Sequence, residues 1–159
     1  MDPQARAFVE TINLLHDDMV KAVDGLTDAE INWRHPHLSN TIGILLRHVA
    51  GSERYWIVEV VGGRPIHRRR ETEFAGERLE KEPLVDSLRS AQAEVTGIVG
   101  KMAPRELTDE VQHQAGHVTK AWAILHSIQH TAYHLGQIQL FRKMATEGAA
   151  EQLRPGRKK

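Results

Sequence analysis

"HSIQHTAYHLGQIQ", residues His126–Gln139, sets three histidines at intervals of four. An α-helix turns about 100° per residue, so positions four apart are offset by about 40° and stand one turn, about 6 Å, apart. His130 and His134 can therefore offer both imidazoles to one ion. His126 lies two turns and about 80° away from His134, too far to share that ion, and reads as a supporting or core residue. Gln137 follows His134 by three, falls near the same face and can orient a ligand or a bound water. One helix cannot complete a metal site, so this reading requires another helix facing it.

The chain offers such partners. Apolar residues at Phe8, Ile12, Leu15, Met19 and Val23 predict a first helix from about Pro3 to Asp24, opened by Asp2-Pro3 and closed by Gly25. Thr27 and Glu30 form a capping-box pattern in the turn that follows, and Pro36 stops it. A second helix is predicted from Ser39-Asn40 to Val61, ending at Gly62-Gly63, with Ile42, Leu45, Leu46, Val49, Trp56, Ile57 and Val60 on its apolar side. After a polar connection of about twenty residues, a third opens at Pro83 and carries Leu84, Leu88, Ala91, Val95 and Ile98. The fourth runs from about Thr119 to Ala145. No convincing strand alternation is present. The expected fold is all-α: a four-helix bundle in residues 1–148, with a long crossover connection between helices 2 and 3, and a flexible basic tail over 149–159.

Bulk properties narrow the function. The 159 residues carry 21 Lys plus Arg against 21 Asp plus Glu, which argues against a nucleic-acid partner. There is no cysteine, so disulfides, thiolate ligands and a cysteine nucleophile are excluded. No basic segment followed by an apolar run begins the chain, and no stretch reaches the roughly 18–20 apolar residues that span a bilayer. A cytoplasmic protein without membrane contact is expected. Five of the ten histidines fall between His113 and His134.

His48, in "GILLRHVAGSERYW", follows Ile42, Leu45 and Leu46 and precedes Val49, so it points largely inward. Ligation as a neutral imidazole would explain burying it. His48, His130 and His134 then form a three-histidine site on two helices, with positions left for water or substrate, as in catalytic zinc centres. A hydrogen-bonded core network of histidines is the plain alternative. His16 and Glu53 are candidate added or alternative ligands, and Glu53 and Tyr133 are candidate catalytic residues, with packing or simple hydrogen bonding as their other reading. His35, His37, His67, His113 and His117 fall in turns and loops and are expected to be solvated. "RPIHRRR" reads as a solvated loop that could instead grip an anion. Trp33, Trp56 and Trp122 read as core or rim packing. Ile44, Ile57 and Val61 lie off the strict stripe of helix two and could cover a partner helix, giving a homodimer, or lie under the long connection.

The pair "SNTIGILLRHVAGSERYW" and "HSIQHTAYHLGQIQLFR" resembles the DinB-like family of metalloproteins, over nearly the whole chain to about Met144. The most specific feature is N-T-I-G-x-L-L-x-H in the second helix together with H-x-x-x-H-x-G-Q in the fourth; "NWR" and "RRRETEF" add weaker likeness. Many members carry arginine where this chain has Leu135. The resemblance implies a bundle with a crossover and a divalent metal, often zinc or nickel, held by His48, His130 and His134. It also implies chemistry of the kind seen in thiol-dependent transferases and isomerases, which use a low-molecular-weight thiol such as bacillithiol or mycothiol. The resulting expectation is a metal-dependent enzyme acting on a small-molecule substrate or thiol. The alternatives are a metal-dependent hydrolase and a non-catalytic, stress-related metal-binding bundle.

Overall fold

The computed structural model describes residues 1–152 apart from residue 77 and residues 114–115, with the side chains of 148–152 left aside. It is mostly helical. Helix α1 spans Pro3–Val23, with the Asp2 carboxylate accepting from the amides of Gln4 and Ala5. The short α2, Asp28–Ile31, carries the expected capping box: the Thr27 amide donates to Glu30 at 2.8 Å and the Glu30 amide to Thr27 Oγ1 at 3.3 Å. Helix α3, Ile42–Glu53, starts on Thr41, whose hydroxyl accepts from the Ile44 amide. It continues as a π-helical segment over Arg54–Val61, where the Gly62 amide reaches back five residues to the Ile57 carbonyl. A single α-helix was the expectation for this stretch; the wider turn is a departure from it.

After the connection come α4 (Arg70–Glu73), α5 (Lys81–Val99) and a 3-10 turn at Pro104–Thr108. Strands β1 (Glu110–His113) and β2 (Gly116–Thr119) pair antiparallel. This hairpin corrects the expectation of no strands: four residues per strand are too few for alternation to stand out. Helix α6 spans Lys120–Gln152, opened by Thr119, whose hydroxyl accepts from the Trp122 amide. It takes in the first residues of the segment read as a basic tail; residues 153–159 lie outside the described residues. Among the described residues no helix is long and apolar enough to cross a membrane.

Contacts fix how the long helices lie. Asn13 on α1 meets Gln92 on α5, and Gly100 approaches Met1 and Val9, so those two helices run antiparallel. Arg142 near the far part of α6 bonds the carbonyls of Lys21 and Ala22 at the end of α1, so α1 and α6 run parallel. Gly43 packs on Leu79 at the start of α5 and Gly62 on Ile98 at its end, so α3 and α5 also run parallel. Parallel neighbours need a connection that returns along their length, and residues 62–80 make it.

The core is divided. One apolar cluster includes Met19, Leu45, Leu46, Val49, Leu88 and Ile138; another includes Phe8, Ile12, Ile57, Val95, Val99 and Ile124. Between them in sequence on α1, α3 and α6 fall the buried polar residues His16, Ser52, Glu53, Ser127 and Thr131. Ile44, Ile57 and Val61, read as covering either a partner helix or lying under the long connection, are buried within this chain.

Candidate metal centre

The candidate ligands stand beside this polar layer, His48 between Leu46 and Val49 of the first cluster. His48 lies on α3 and His130 and His134 one turn apart on α6, which crosses α3 antiparallel. His48 Nε2 stands 3.1 Å from His130 Nε2, and His134 Nε2 stands 3.2 Å from the same atom. The three residues are the group, among those described, whose ligand atoms all lie within 4.8 Å of one another.

The outer nitrogens decide what the inner ones can do. His48 Nδ1 is 2.8 Å from Glu73 Oε2 and His134 Nδ1 is 2.7 Å from Gln137 Oε1. Both partners are acceptors, so each Nδ1 carries the proton and each Nε2 turns a lone pair inward. His130 has one Nε2 and faces two such lone pairs; it can donate to only one of them. A cation satisfies all three. Imidazoles that share an ion at about 2.0–2.1 Å bring their nitrogens to about 3.3 Å of each other, close to the spacing found, so the residues present fit a divalent metal.

Electrostatics agree. Burial, then the positive charge that His134, His48 and others would carry, pushes the His130 imidazole down to about 3. Burial also lowers His134, against the hydrogen bond from its ring to Gln137. Both rings are thus neutral at physiological pH, the form that binds metal. His130 Nδ1 is buried with no protein hydrogen-bond partner.

A second polar unit lies beside this one. Glu53 Oε2 is 2.7 Å from His16 Nε2, and Glu53 Oε1 accepts from the Thr131 hydroxyl at 2.7 Å. Neither His16 nor Glu53 joins the three-histidine cluster; they pair with each other instead. Glu53 follows His48 by five residues, about 140° around a helix, so it turns away from the cluster, between His16 on α1 and Thr131 on α6. Tyr133 is 64 % exposed, with its hydroxyl 3.2 Å from Gln137 Nε2 and its ring 5.3 Å from that of His134.

His126 stacks on Trp122 at 5.0 Å and touches Trp56 at 4.5 Å, with its ring 6.5 Å from His130. Trp56 also stacks on His113 at 4.4 Å, so His113 is not a freely solvated loop residue as expected: the unforeseen hairpin delivers it to the indole. Trp122 is a rim residue, 47 % exposed. His37, His67 and His117 are exposed.

Glu73 and Arg68 were missed as site residues. Arg68 Nε and Nη2 donate to Glu73 Oε1 and Oε2 at 2.7 and 2.9 Å, so Arg68 is not part of a solvated run. Arg47 donates to the Glu73 and Ala75 carbonyls, both at 2.9 Å, and pins the strap on α3. The only available signal was "RRRETEF" itself, since a contact across 25 positions leaves no spacing pattern to read.

The fold and sequence have known relatives. The crystal structure of a conserved protein from Enterococcus faecalis matches with a TM-score of 0.74 and 18 % identity, over 92 % of this chain and 99 % of that one. No curated protein matches. At that identity the structural likeness speaks for the fold alone, whereas the family model of the DinB superfamily matches residues 12–138, from the middle of α1 through both ligand helices. With the three histidines inside the matched span, the chain belongs to the DinB superfamily.

Proposed function

We propose that His48, His130 and His134 hold one divalent ion, zinc or nickel, within a four-helix bundle closed by the 62–80 crossover. The protein is then a metal-dependent enzyme that uses a low-molecular-weight thiol against a small electrophile. The observation that carries this reading is the convergence of three Nε2 atoms, two of them with their lone pairs fixed inward by Glu73 and Gln137. A bound dication favours thiolate over thiol at neutral pH. The chain has no cysteine, so the sulfur comes with the co-substrate. Glu53 has both oxygens engaged by His16 and Thr131 and is poorly disposed to take a substrate proton. Tyr133 stays the candidate for polar contact with substrate.

A second reading, an ion that only ties α3 to α6, draws support from the burial of His48 and His134. Metal content per chain, measured by mass spectrometry on untagged protein, tests the site. The expected result is near one ion in the parent and almost none in His130→Ala. An empty parent that also refuses added zinc and nickel ends the metal reading. In a cobalt-substituted sample, a change in the visible spectrum on adding a thiol supports the enzyme, and an unresponsive spectrum supports the structural ion.

A further inference from the structure

The strap between α3 and α5 looks at first like a return path for the chain, yet it sends one acid back into the protein. Glu73 is 7 % exposed, on a four-residue helix whose neighbours are mostly solvated. Its carboxylate accepts from Arg68 through both oxygens and from His48 Nδ1 through one. Two further features keep it in place. Arg47, adjacent to His48, grips the carbonyls of Glu73 and Ala75. Gly51, one turn beyond Arg47 on α3, supplies the room: a Cβ there would run into the Glu73 carboxylate. Phe74 closes the other side, with its ring 4.8 Å from that of His48.

We propose that Glu73 is a positioning residue of the metal centre, which fixes the ring and the tautomer of His48 and raises the basicity of its Nε2. Arg68, Arg47 and Gly51 are its support. The inference rests on the three-histidine reading above. Its chemistry is general: a ligand imidazole that donates its outer N–H to a carboxylate is both oriented and made a stronger donor to metal. His134 has the weaker version, a neutral amide from Gln137, and His130 has no protein partner at Nδ1. Of the three histidines, His48 is thus the one anchored by a carboxylate, and the 62–80 connection carries that anchor to a helix 25 positions earlier in the chain.

The experiment titrates cobalt(II), against a chelating competitor, into the metal-free full chain and its Glu73→Gln and Gly51→Ala variants. Far-UV circular dichroism and the melting temperature of each metal-free protein are recorded alongside. Glu73→Gln is expected to weaken cobalt binding by about 10–100-fold and to alter the visible cobalt spectrum, with the helical signal of the metal-free protein kept. Gly51→Ala changes no polar group and is expected to weaken binding in the same direction by displacing the carboxylate; it decides the matter if Glu73→Gln does not fold. Wild-type affinity and spectrum in a folded Glu73→Gln, or in Gly51→Ala where only that variant folds, overturn the positioning role and leave the metal site standing. Loss of affinity that merely tracks loss of helix, in both variants, also overturns it. A wild-type chain that binds no cobalt overturns this inference together with the reading beneath it.

Discussion

Glu53 turns one oxygen to His16 and the other to Thr131, with side chains that are 1 % exposed for His16 and 4 % for Glu53 itself. Removing one member of a buried pair leaves the other without compensation, at a cost of about 3–5 kcal/mol. Glu53→Ala is therefore expected to lower unfolding stability by that order in urea denaturation, while metal stoichiometry stays at the parent value. A parallel loss of metal would instead tie Glu53 to the ion. At this scale the sequence was partly readable. His48 stood beside Leu45, Leu46 and Val49, so its inward direction followed from helical period alone, and the HxxxH pair announced itself. The acids were not readable in the same way. Helical period says that Glu53 is on another face from His48, but not that His16 waits there. Glu73 sits in a segment with no period at all, beside arginines that on composition look solvated.

Asn32 shows how an element is held from outside it. Its side-chain amide donates to the Leu79 carbonyl at 2.7 Å and its carbonyl oxygen accepts from the Leu79 amide at 2.9 Å, so one residue clamps the entry to α5. At about 0.5–1.5 kcal/mol for each hydrogen bond, Asn32→Ala is expected to cost about 1–3 kcal/mol, read as a lower denaturation midpoint with an unchanged slope. Thr41→Ala, which removes the cap of α3, is expected to cost about 1 kcal/mol by the same measurement. Caps and helix ends were the most legible elements, because Asp2-Pro3 and Thr27–Glu30 each act through residues two or three positions away, although the start of α3 was read at Ser39-Asn40 where Thr41 is the cap. The π-helical stretch at Arg54–Val61 was not, since over eight residues its apolar spacing barely differs from that of an α-helix. Its effect is local and large: π turns are frequent at functional sites, and this one carries Tyr55 and Trp56 toward His113 and His126. The hairpin escaped notice for want of length, and with it the placement of His113.

The molecule as a whole keeps several histidines neutral against their surroundings, which sets the sign of the metal-free protein's pH response. Unfolded histidines titrate near 6.5, whereas His130 is held at about 3 and His134 is lowered, both chiefly by burial. His126 is lowered by burial and then by His113. Below about pH 6.5 the unfolded chain thus takes up protons that the folded chain refuses, and stability falls as pH falls. Glu73 acts in the same direction lower down, since its depressed carboxyl contributes stability that is lost as pH drops through its folded value. The melting temperature of chelator-treated protein is expected to decline steadily from pH 7 to pH 5, and His130→Asn to flatten that slope. An equal slope in the variant would place the response elsewhere. The overall arrangement was legible as far as four long helices and one long link. The length of that link already implied that the two helices it joins run parallel; that α1 and α6 also do was not legible, because periodicity reports the face a helix buries and says nothing about its neighbour.

Helix α6 follows the other described elements along the chain, and it carries two of the three histidines, Thr131 for Glu53, and apolar residues of both core clusters. During synthesis the first 119 residues hold His48, already able to meet Glu73, with nothing across from it. No ion can be captured by that fragment through this site, and the buried faces of α1 and α3 stay open until α6 leaves the ribosome. An ion at the three histidines would therefore be held only once α6 has joined the core.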